Sequence, residues 1–458
     1  MKNPQQLINY LLSPIDKKTP LSVKEGCLWC PVQDRPLPQF RSIPWLYPDP
    51  EAVMIQWQQR YQFQLAQFQQ EIDGLKLEMR KTGLLKSTQK RLQRLVQAKT
   101  EHRKASEKLL SPLNLTGGLS IEQHYAAKTR LPESQTLMGY FSNIHRDWSW
   151  ESQENRICLD LIHESLASNS VIGDCVILGS GACRLAFDIY HSLDPSLMIC
   201  IDMNPFLLAV AEKMLHGNSL NLYEFPISPI NLEATAVKQR LKNPMTKAGS
   251  NFYLLLSDAL NSCLKPEIMD TVVTPWFIDI VHQDLSSLMQ SFNNIIKLGG
   301  RWVNFGSLAF FHKSLSDCYS LEEVQDLLST NGFRLDTLVD RKIPYLDSPY
   351  SRQTRFEQVI CFTATKISNV PPPPPYQMLP DWVLDPNLPI PCTTEITSMI
   401  SINEIFNQIA NQIDGKKSLN QLTTICSPML NLSPDQTMQV LQQMFTSIIQ
   451  GNLKGRHF

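Results

Sequence analysis

An α/β fold built on a doubly wound, Rossmann-like sheet, with smaller helical pieces at its ends, is what this 458-residue chain predicts. Three observations carry that expectation. From about residue 131 to 366, apolar strand-like runs alternate with helical stretches. A glycine loop, Gly179-Ser180-Gly181, links one such strand to a helix, and the next strand ends in Asp202, 23 residues after Gly179. Five consecutive prolines, Pro371 to Pro375, then set off a helical tail.

Composition bounds the function. Lys+Arg total 42 against 43 Asp+Glu, a net charge of −1, which argues against a globally basic nucleic-acid binder and against a polyacidic tail protein. With 43% hydrophobic and 19% charged residues the chain can bury a sizeable core. Its 11 cysteines are too sparse for a disulfide scaffold, and Cys175, Cys200 and Cys361 sit in apolar runs where reduced, buried thiols are expected. No apolar run approaches the ~18–20 residues of a membrane span. The opening MKNPQQLINYLLSPID lacks the basic and small-residue signature of a signal peptide, so a cytoplasmic location is expected.

Residues 1–50 form the first piece. Ser13-Pro14-Ile15-Asp16, Cys30-Pro31-Val32-Gln33 and Ile43-Pro44-Trp45-Leu46 resemble the small zinc-ribbon domain that accompanies or activates some RNA and protein methyltransferases. That family carries two Cys-Pro-x-Cys knuckles, of which one thiolate in four survives here. A closed structural zinc site needs four ligands, and Cys27 with Cys30 and Asp16 would be a poor set, so no metal is expected.

Residues 51–112 read as a helical hairpin. Trp57, Tyr61, Leu65, Phe68, Ile72 and Leu75 are spaced 4, 4, 3, 4 and 3, one stripe of a long helix, and Lys81-Thr82-Gly83 breaks it. From Lys76 to Lys108 there are 11 Lys/Arg against 3 Glu, which reads as a solvated face or, alternatively, a docking surface for an acidic partner or RNA.

Residues 113–368 hold the chemistry. The strand Cys175–Leu178 leads through Gly179 and Gly181 to a helix, then to the strand Leu197–Ile201 ending in Asp202 and the helix Pro205–Leu215. Glycines let backbone approach a ligand at a helix N-terminus, and Asp202 is placed to accept both hydroxyls of a ribose. The strand Phe252–Leu256 also ends in an acid, Asp258, followed by Ala259; strands at Asp270–Thr274 and Leu298–Asn304 complete the set. This order looks like a class I S-adenosylmethionine-dependent methyltransferase rather than a dehydrogenase.

The resemblance becomes specific at His145-Arg146-Asp147-Trp148-Ser149, Ser250-Asn251-Phe252, Pro275-Trp276-Phe277-Ile278-Asp279 and Gly299-Gly300-x-Trp302-x-Asn304-x-Gly306, with His312 beyond. Together these resemble carnosine N-methyltransferase and its bacterial relatives over about residues 140–366. The resemblance implies S-adenosylmethionine as cofactor, held by Asn143, Arg146, Gly179, Gly181, Asp202, Asp258, Ala259 and Pro275. It implies an acceptor imidazole bound by Asp279 and His312, with Tyr345 and Tyr350 lining the site. A neutral imidazole, with a pKa of about 6.5, keeps a free lone pair at pH 7. An Asp accepting its far N–H would bare the attacking nitrogen and stabilise the methylimidazolium, while His312 would orient the ring or take the surplus proton.

Four sites depart from the family pattern. Asn143 stands where the family has a contacting Gln, Cys183 replaces the loop's third glycine, His312 lies one residue farther along, and Thr354-Arg355-Phe356 stands where the family has tyrosines. His282 reads as a packing residue early in the helix after Ile278, Asp279 as that helix's cap if it is not catalytic, and Arg184 as a structural bridge. Residues 369–390 read as a Pro-rich linker and 391–458 as a helical or winged-helix-like module, with Ser433-Pro434-Asp435-Gln436 starting a helix. That module resembles the small winged-helix peptide chaperones of peptide-modifying pathways, which would point to a peptide or protein acceptor. A small-molecule or peptide acceptor is expected, a protein partner could engage either end module, and neither membrane nor nucleic acid is. Alternatives are a non-catalytic methyltransferase-like assembly partner, or a methyltransferase acting on RNA or another small-molecule nitrogen.

Overall fold

The computed structural model describes residues 4–113, 138–151, 153–167, 171–281, 283–310, 315–373 and 408–452. These fall into two compact units, one holding 4–50, 61–113 and 138–373, the other holding 51–60 and 408–452. Among the described residues no helix is long and apolar enough to cross a membrane.

The first unit begins with α1 (Pro4–Leu7) and a small three-stranded sheet of β1 (Ser22–Lys24), β2 (Cys27–Cys30) and β3 (Arg35–Pro36). The hairpin β4 (Gln39–Phe40) and β5 (Ile43–Leu46) follows. Ser13 and Cys30, one residue from each degenerate knuckle, meet in the interior with Oγ and Sγ 3.3 Å apart. Among the described residues no group of three or more His, Cys, Asp and Glu is gathered as a metal site.

Helices α2 (Pro50–Glu78) and α3 (Lys86–Leu110) form the expected hairpin, broken at Lys81–Gly83. The predicted stripe is buried at Tyr61, Leu65, Phe68 and Ile72 because 3–4 spacing keeps it on one face. Much of the basic excess is spent inside the chain. Lys99 pairs with Glu71 at 2.7 Å, Arg94 donates to the Ala236 carbonyl at 3.0 Å, and Lys90 lies 3.6 Å from Glu233.

The core elements follow as α4 (Phe141–Trp148), α5 (Gln153–Leu166), β6 (Asp174–Leu178), α6 (Arg184–Leu193), β7 (Leu197–Asp202) and α7 (Pro205–Leu215). Next come a hairpin, β8 (Leu220–Glu224) and β9 (Val237–Leu241), then β10 (Phe252–Ser257), β11 (Met269–Pro275), α8 (Leu285–Ile295) and β12 (Ile296–Gly306). Helix α9 (Leu321–Thr330) and strands β13 (Phe333–Pro344) and β14 (Phe356–Lys366) complete the unit. The nine-stranded sheet has the order β13-β14-β12-β11-β6-β7-β10-β5-β4. Strands β10, β7, β6, β11 and β12 pair in parallel, β5 joins β10 in parallel, and β14 is antiparallel to both β12 and β13. Covered on both faces, central β6 and β7 are continuous apolar runs, as Cys175–Leu178 and Leu197–Ile201 led one to expect. The order reverses at β6, which opens a crevice above the C-terminal ends of β6 and its neighbours.

The helix after β11 starts later than expected. Asp284, not Asp279, caps it by accepting from the Ser286 and Ser287 amides, so Ile278 and Asp279 lie in the preceding turn. His282 lies outside the described residues.

The second unit's described part holds α10 (Leu419–Leu430), α11 (Pro434–Asn452) and a helical turn at 408–410. Ile409, Ile413, Leu422, Leu441 and Phe445 form its apolar core. Ser433 caps α11 as expected: its Oγ accepts from the Gln436 amide at 3.3 Å while Gln436 returns the bond to the Ser433 amide at 3.1 Å. Most of the Pro-rich linker, and Ile405, lie outside the described residues.

Candidate active site

The crevice at the end of β6 is built by three loops. In the first, Gly179 and Gly181 hold φ of +69° and +56°, which glycine adopts without a Cβ penalty. A Cβ on Gly179 would fall 2.5 Å from the Phe277 ring, whereas a Cβ on Gly181 would meet nothing within 4 Å. Gly179 is therefore required for packing, and Gly181 faces open space. Cys183, in the third glycine's place, also takes a left-handed φ of +62°, and it caps α6.

Asp202 closes that loop. One carboxylate oxygen accepts from the Gly181 amide and the other from the Asn204 amide, both at 2.8 Å. Burial pushes the carboxyl up to about 6, opposed by the amides of Asn204, Gly181 and Met203. On the neighbouring strand, Asp258 accepts from the Leu260 amide at 2.9 Å and from Asn261 Nδ2 at 2.8 Å. That holds Ala259 at the start of a 3₁₀ turn beside Asp202's strand.

Helix α4 crosses the loop from the other side. Trp148 Nε1 donates to the Ala182 carbonyl at 3.0 Å, and Arg184 donates to the Asp147 carbonyl at 2.6 Å. Arg184 also pairs with Asp188 at 2.9 Å, the structural bridge expected of it. Asn143 and Arg146, three residues apart, share one face of α4. Arg146 already holds Asp147 at 2.8 Å and Glu154 at 3.3 Å. Desolvation acts against its charge, but the two carboxylates outweigh it and the guanidinium stays ionised. Three donors are used in these bonds, so two of an arginine's five remain for a ligand.

The third loop follows β11. Pro275 pairs with Phe305 at the strand end, and Trp276 takes a left-handed φ of +50° with its amide on the Phe305 carbonyl at 2.6 Å. The turn delivers Asp279, 5% exposed. Asp279 Oδ2 accepts from the Ala309 amide at 3.0 Å and faces Ser307 Oγ at 3.5 Å, while Oδ1 has no partner among the described residues. Burial raises its pKa, and the Ala309 amide acts in the opposite direction. The Tyr345 ring lies 4.6 Å from the Trp276 ring, with the Arg355 guanidinium 4.8 Å from Tyr345's centroid. Tyr345 therefore reaches the Asp279 loop. The Tyr350 backbone is fixed by the Ile230 amide, which donates to its carbonyl at 3.0 Å, and by its own amide donating to Ser348 Oγ at 3.2 Å. His312 lies outside the described residues.

Behind the loop, the Gly-Gly-x-Trp-x-Asn run explains itself. Trp302 Nε1 donates to Thr274 Oγ1 at 2.8 Å, and Thr274 donates to Asn304 Oδ1 at 2.9 Å, locking β12 to β11. Sequence reasoning did not single out Glu154 or Trp276 as site residues. Trp276 sits inside a motif quoted for its Asp, and no spacing rule links Glu154 to Arg146.

A doubly wound sheet, a glycine loop and acids at the ends of the next two strands define a class I S-adenosylmethionine-dependent methyltransferase. Residues 124–355 match the family described as carnosine N-methyltransferase, and the chain belongs to that family. The match does not include the first fifty residues, so the zinc-ribbon resemblance has no support from it. No curated protein matches the chain. Similar solved structures include the YcgJ protein of Bacillus subtilis, with 12% identity and TM-score 0.31 over 47% of this chain and 100% of that one. A Thermotoga maritima methyltransferase titled a possible histamine N-methyltransferase has 15% identity and TM-score 0.29 over 50% and 93%. Precorrin-6y C5,15-methyltransferase of Geobacter metallireducens has 13% identity and TM-score 0.27 over 46% and 88%.

The residues fit the cofactor: Gly181 leaves open space beside it, and Asp202 presents a buried carboxylate acceptor at the strand end. A pH prediction follows. With Asp202's pKa near 6, S-adenosylhomocysteine is expected to bind about tenfold more weakly at pH 5 than at pH 7, because protonation removes an acceptor. Calorimetric titration at both pH values checks this, and Asp202→Asn should flatten the profile. The folded protein holds this proton more tightly than the unfolded chain, so the same group lowers stability as pH rises from about 4 to about 6.

Proposed function

We propose that this enzyme methylates a ring nitrogen of an imidazole, carried by a histidine-containing peptide, protein or small molecule. The carrying observation is Asp279: a buried carboxylate with one oxygen fixed by the Ala309 amide and the other unpaired. A buried acceptor left without a donor is costly, and an imidazole N–H is a donor of the right kind. S-adenosylmethionine supplies an activated methyl group on a sulfonium when bound. The chain's part is to seat the ribose at Asp202, the adenine between Asp258 and Ala259, and the amino-acid end near Gly179, Gly181, Pro275, Asn143 and Arg146. Asp279 then selects the tautomer whose far nitrogen carries no proton and stabilises the positive ring that results. Tyr345, against Trp276, offers an aromatic wall for the ring, with His312 and Tyr350 as further acceptor contacts. We assign the end modules, 1–50 and 391–458, which flank the 51–112 hairpin and the 113–368 catalytic region, to binding a protein partner. Free thiols at every described cysteine suit a reducing, cytoplasmic compartment.

The test is transfer of labelled methyl to histidine peptides, imidazole dipeptides and RNA, with mass-spectrometric location of the methyl group. Label on an imidazole nitrogen supports the reading; label confined to RNA or to a non-imidazole nitrogen overturns it.

A further inference from the structure

The amino-terminal segment extends the methyltransferase sheet. Strand β5 runs parallel to β10 with Trp45 beside Leu256 and Leu46 beside Ser257, so Tyr47 emerges level with Asp258. On its other side β10 pairs Leu256 with Asp202. Tyr47, Asp258 and Asp202 thus lie at the same end of three adjacent strands, the end where this sheet opens its crevice.

The backbone that presents Tyr47 is held from several directions. The Leu46 carbonyl accepts from Ser257 Oγ at 3.2 Å and lies 3.9 Å from Cys263 Sγ. The Leu12 amide donates to the Cys263 carbonyl at 2.8 Å. At the β4–β5 turn, Ser42 Oγ donates to Glu212 of α7 at 2.5 Å, and Arg41 pairs with the same carboxylate. Tyr47 itself is 6% exposed, its ring 5.9 Å from that of Trp45, and its hydroxyl has no hydrogen-bond partner among the described residues. The Asp258 and Asp202 carboxylates take their bonds from backbone amides and Asn261 instead. Buried hydroxyls are rarely left unpaired, and one at the strand end that carries Asp258, with Asp202 at the end of the next strand, has a partner in a ligand seated there.

We infer that Tyr47 is a binding residue for the cofactor's adenosine, its hydroxyl donating to an acceptor atom of that group, so that the amino-terminal segment completes the cofactor site. This rests on the seating of adenosine at Asp202 and Asp258 proposed above.

Full-length protein, Tyr47→Phe and Asp202→Asn are titrated with S-adenosylhomocysteine by calorimetry, and their unliganded thermal unfolding is recorded. Tyr47→Phe is expected to weaken binding by about 3- to 10-fold, the range of one hydrogen bond. Its unliganded midpoint should stay level or rise, because only an unpaired hydroxyl is removed. Unchanged affinity in Tyr47→Phe with weakened binding in Asp202→Asn overturns the role of Tyr47 and leaves the adenosine seating standing. Unchanged affinity in both variants removes the seating and the inference together. A lowered unliganded midpoint with unchanged affinity makes the hydroxyl structural, and that also overturns the inference.

Discussion

Replacing Asp279 with alanine is expected to lower kcat/KM for an imidazole acceptor by about 10²- to 10⁴-fold, the range of a lost charge-stabilising or proton-holding group. On the proposed reading, the alanine variant loses both the acceptor that selects the tautomer and the negative charge beside the developing cation. Asp279→Asn separates the two, since its amide oxygen still accepts an N–H but carries no charge. A fall in kcat larger than the rise in KM for Asp279→Asn would place the effect on the charged product-like state. Affinity for S-adenosylhomocysteine should change little, because the residue's own bonds run to Ala309 and Ser307. Stability should move the other way. Burial raises Asp279's pKa, so the folded state binds that proton more tightly than the unfolded chain does. The carboxylate therefore costs stability once pH exceeds its unfolded value, and Asp279→Asn should raise the thermal midpoint at pH 7. Full activity in Asp279→Ala with an identified acceptor would remove this residue from the mechanism.

Gly179→Ala is the second large effect, and it arises from packing. At φ +69° an alanine is strained, and its Cβ would sit 2.5 Å from Phe277. Left-handed strain of about 1–2 kcal/mol and overpacking of about 1–3 kcal/mol together predict a loss of about 2–5 kcal/mol. Phe277 lies two residues before Asp279, so displacing it moves the glycine loop and the Asp279 loop at once. Cofactor affinity and methyl transfer should both fall with the midpoint. Gly181→Ala is the control: its φ of +56° carries strain, but its Cβ meets no protein atom. It should lose less stability while still obstructing the cofactor. Thermal unfolding and calorimetry on both variants check the contrast, and a Gly179→Ala protein as stable as the parent would contradict the packing argument.

Local signals were legible wherever they are short in sequence. The strand, glycine loop, helix, strand and acid from Cys175 to Asp202 announce themselves within 28 residues. Parallel central strands must be apolar on both faces, and a loop at φ above zero selects glycine. The Tyr61–Ile72 stripe and the Ser433 cap are likewise written in neighbouring residues. The hairpin of β8 and β9 was not legible, since its alternation is weak and about a dozen residues separate its strands. Nor was the handover of the helix cap from Asp279 to Asp284: two aspartates in one loop look alike until the chain's turn assigns them.

Of the candidate site, residue types and their strands came from the sequence alone: Asp202 ends its strand, and Gly179, Gly181, Asp258 and Asp279 follow the ends of theirs. Their bonding state did not. Only the folded chain shows that Arg146 is already clasped by Asp147 and Glu154, that Asp279 keeps one oxygen unpaired, and that Tyr345, not Tyr350, meets Trp276. The amino-terminal segment is the clearest division. Its sequence carries a resemblance to a zinc ribbon that the family match does not reach, whereas the tertiary structure adds Ile43–Leu46 as a parallel strand beside β10 and brings Tyr47 to the strand end that carries Asp258. That pairing joins residues 211 positions apart, as in the Leu46–Ser257 bond, and no periodicity within either segment encodes it. Local periodicity and turn chemistry determine elements; the burial of two unpaired strand edges against each other decides which elements become neighbours, and so which side chains share a site.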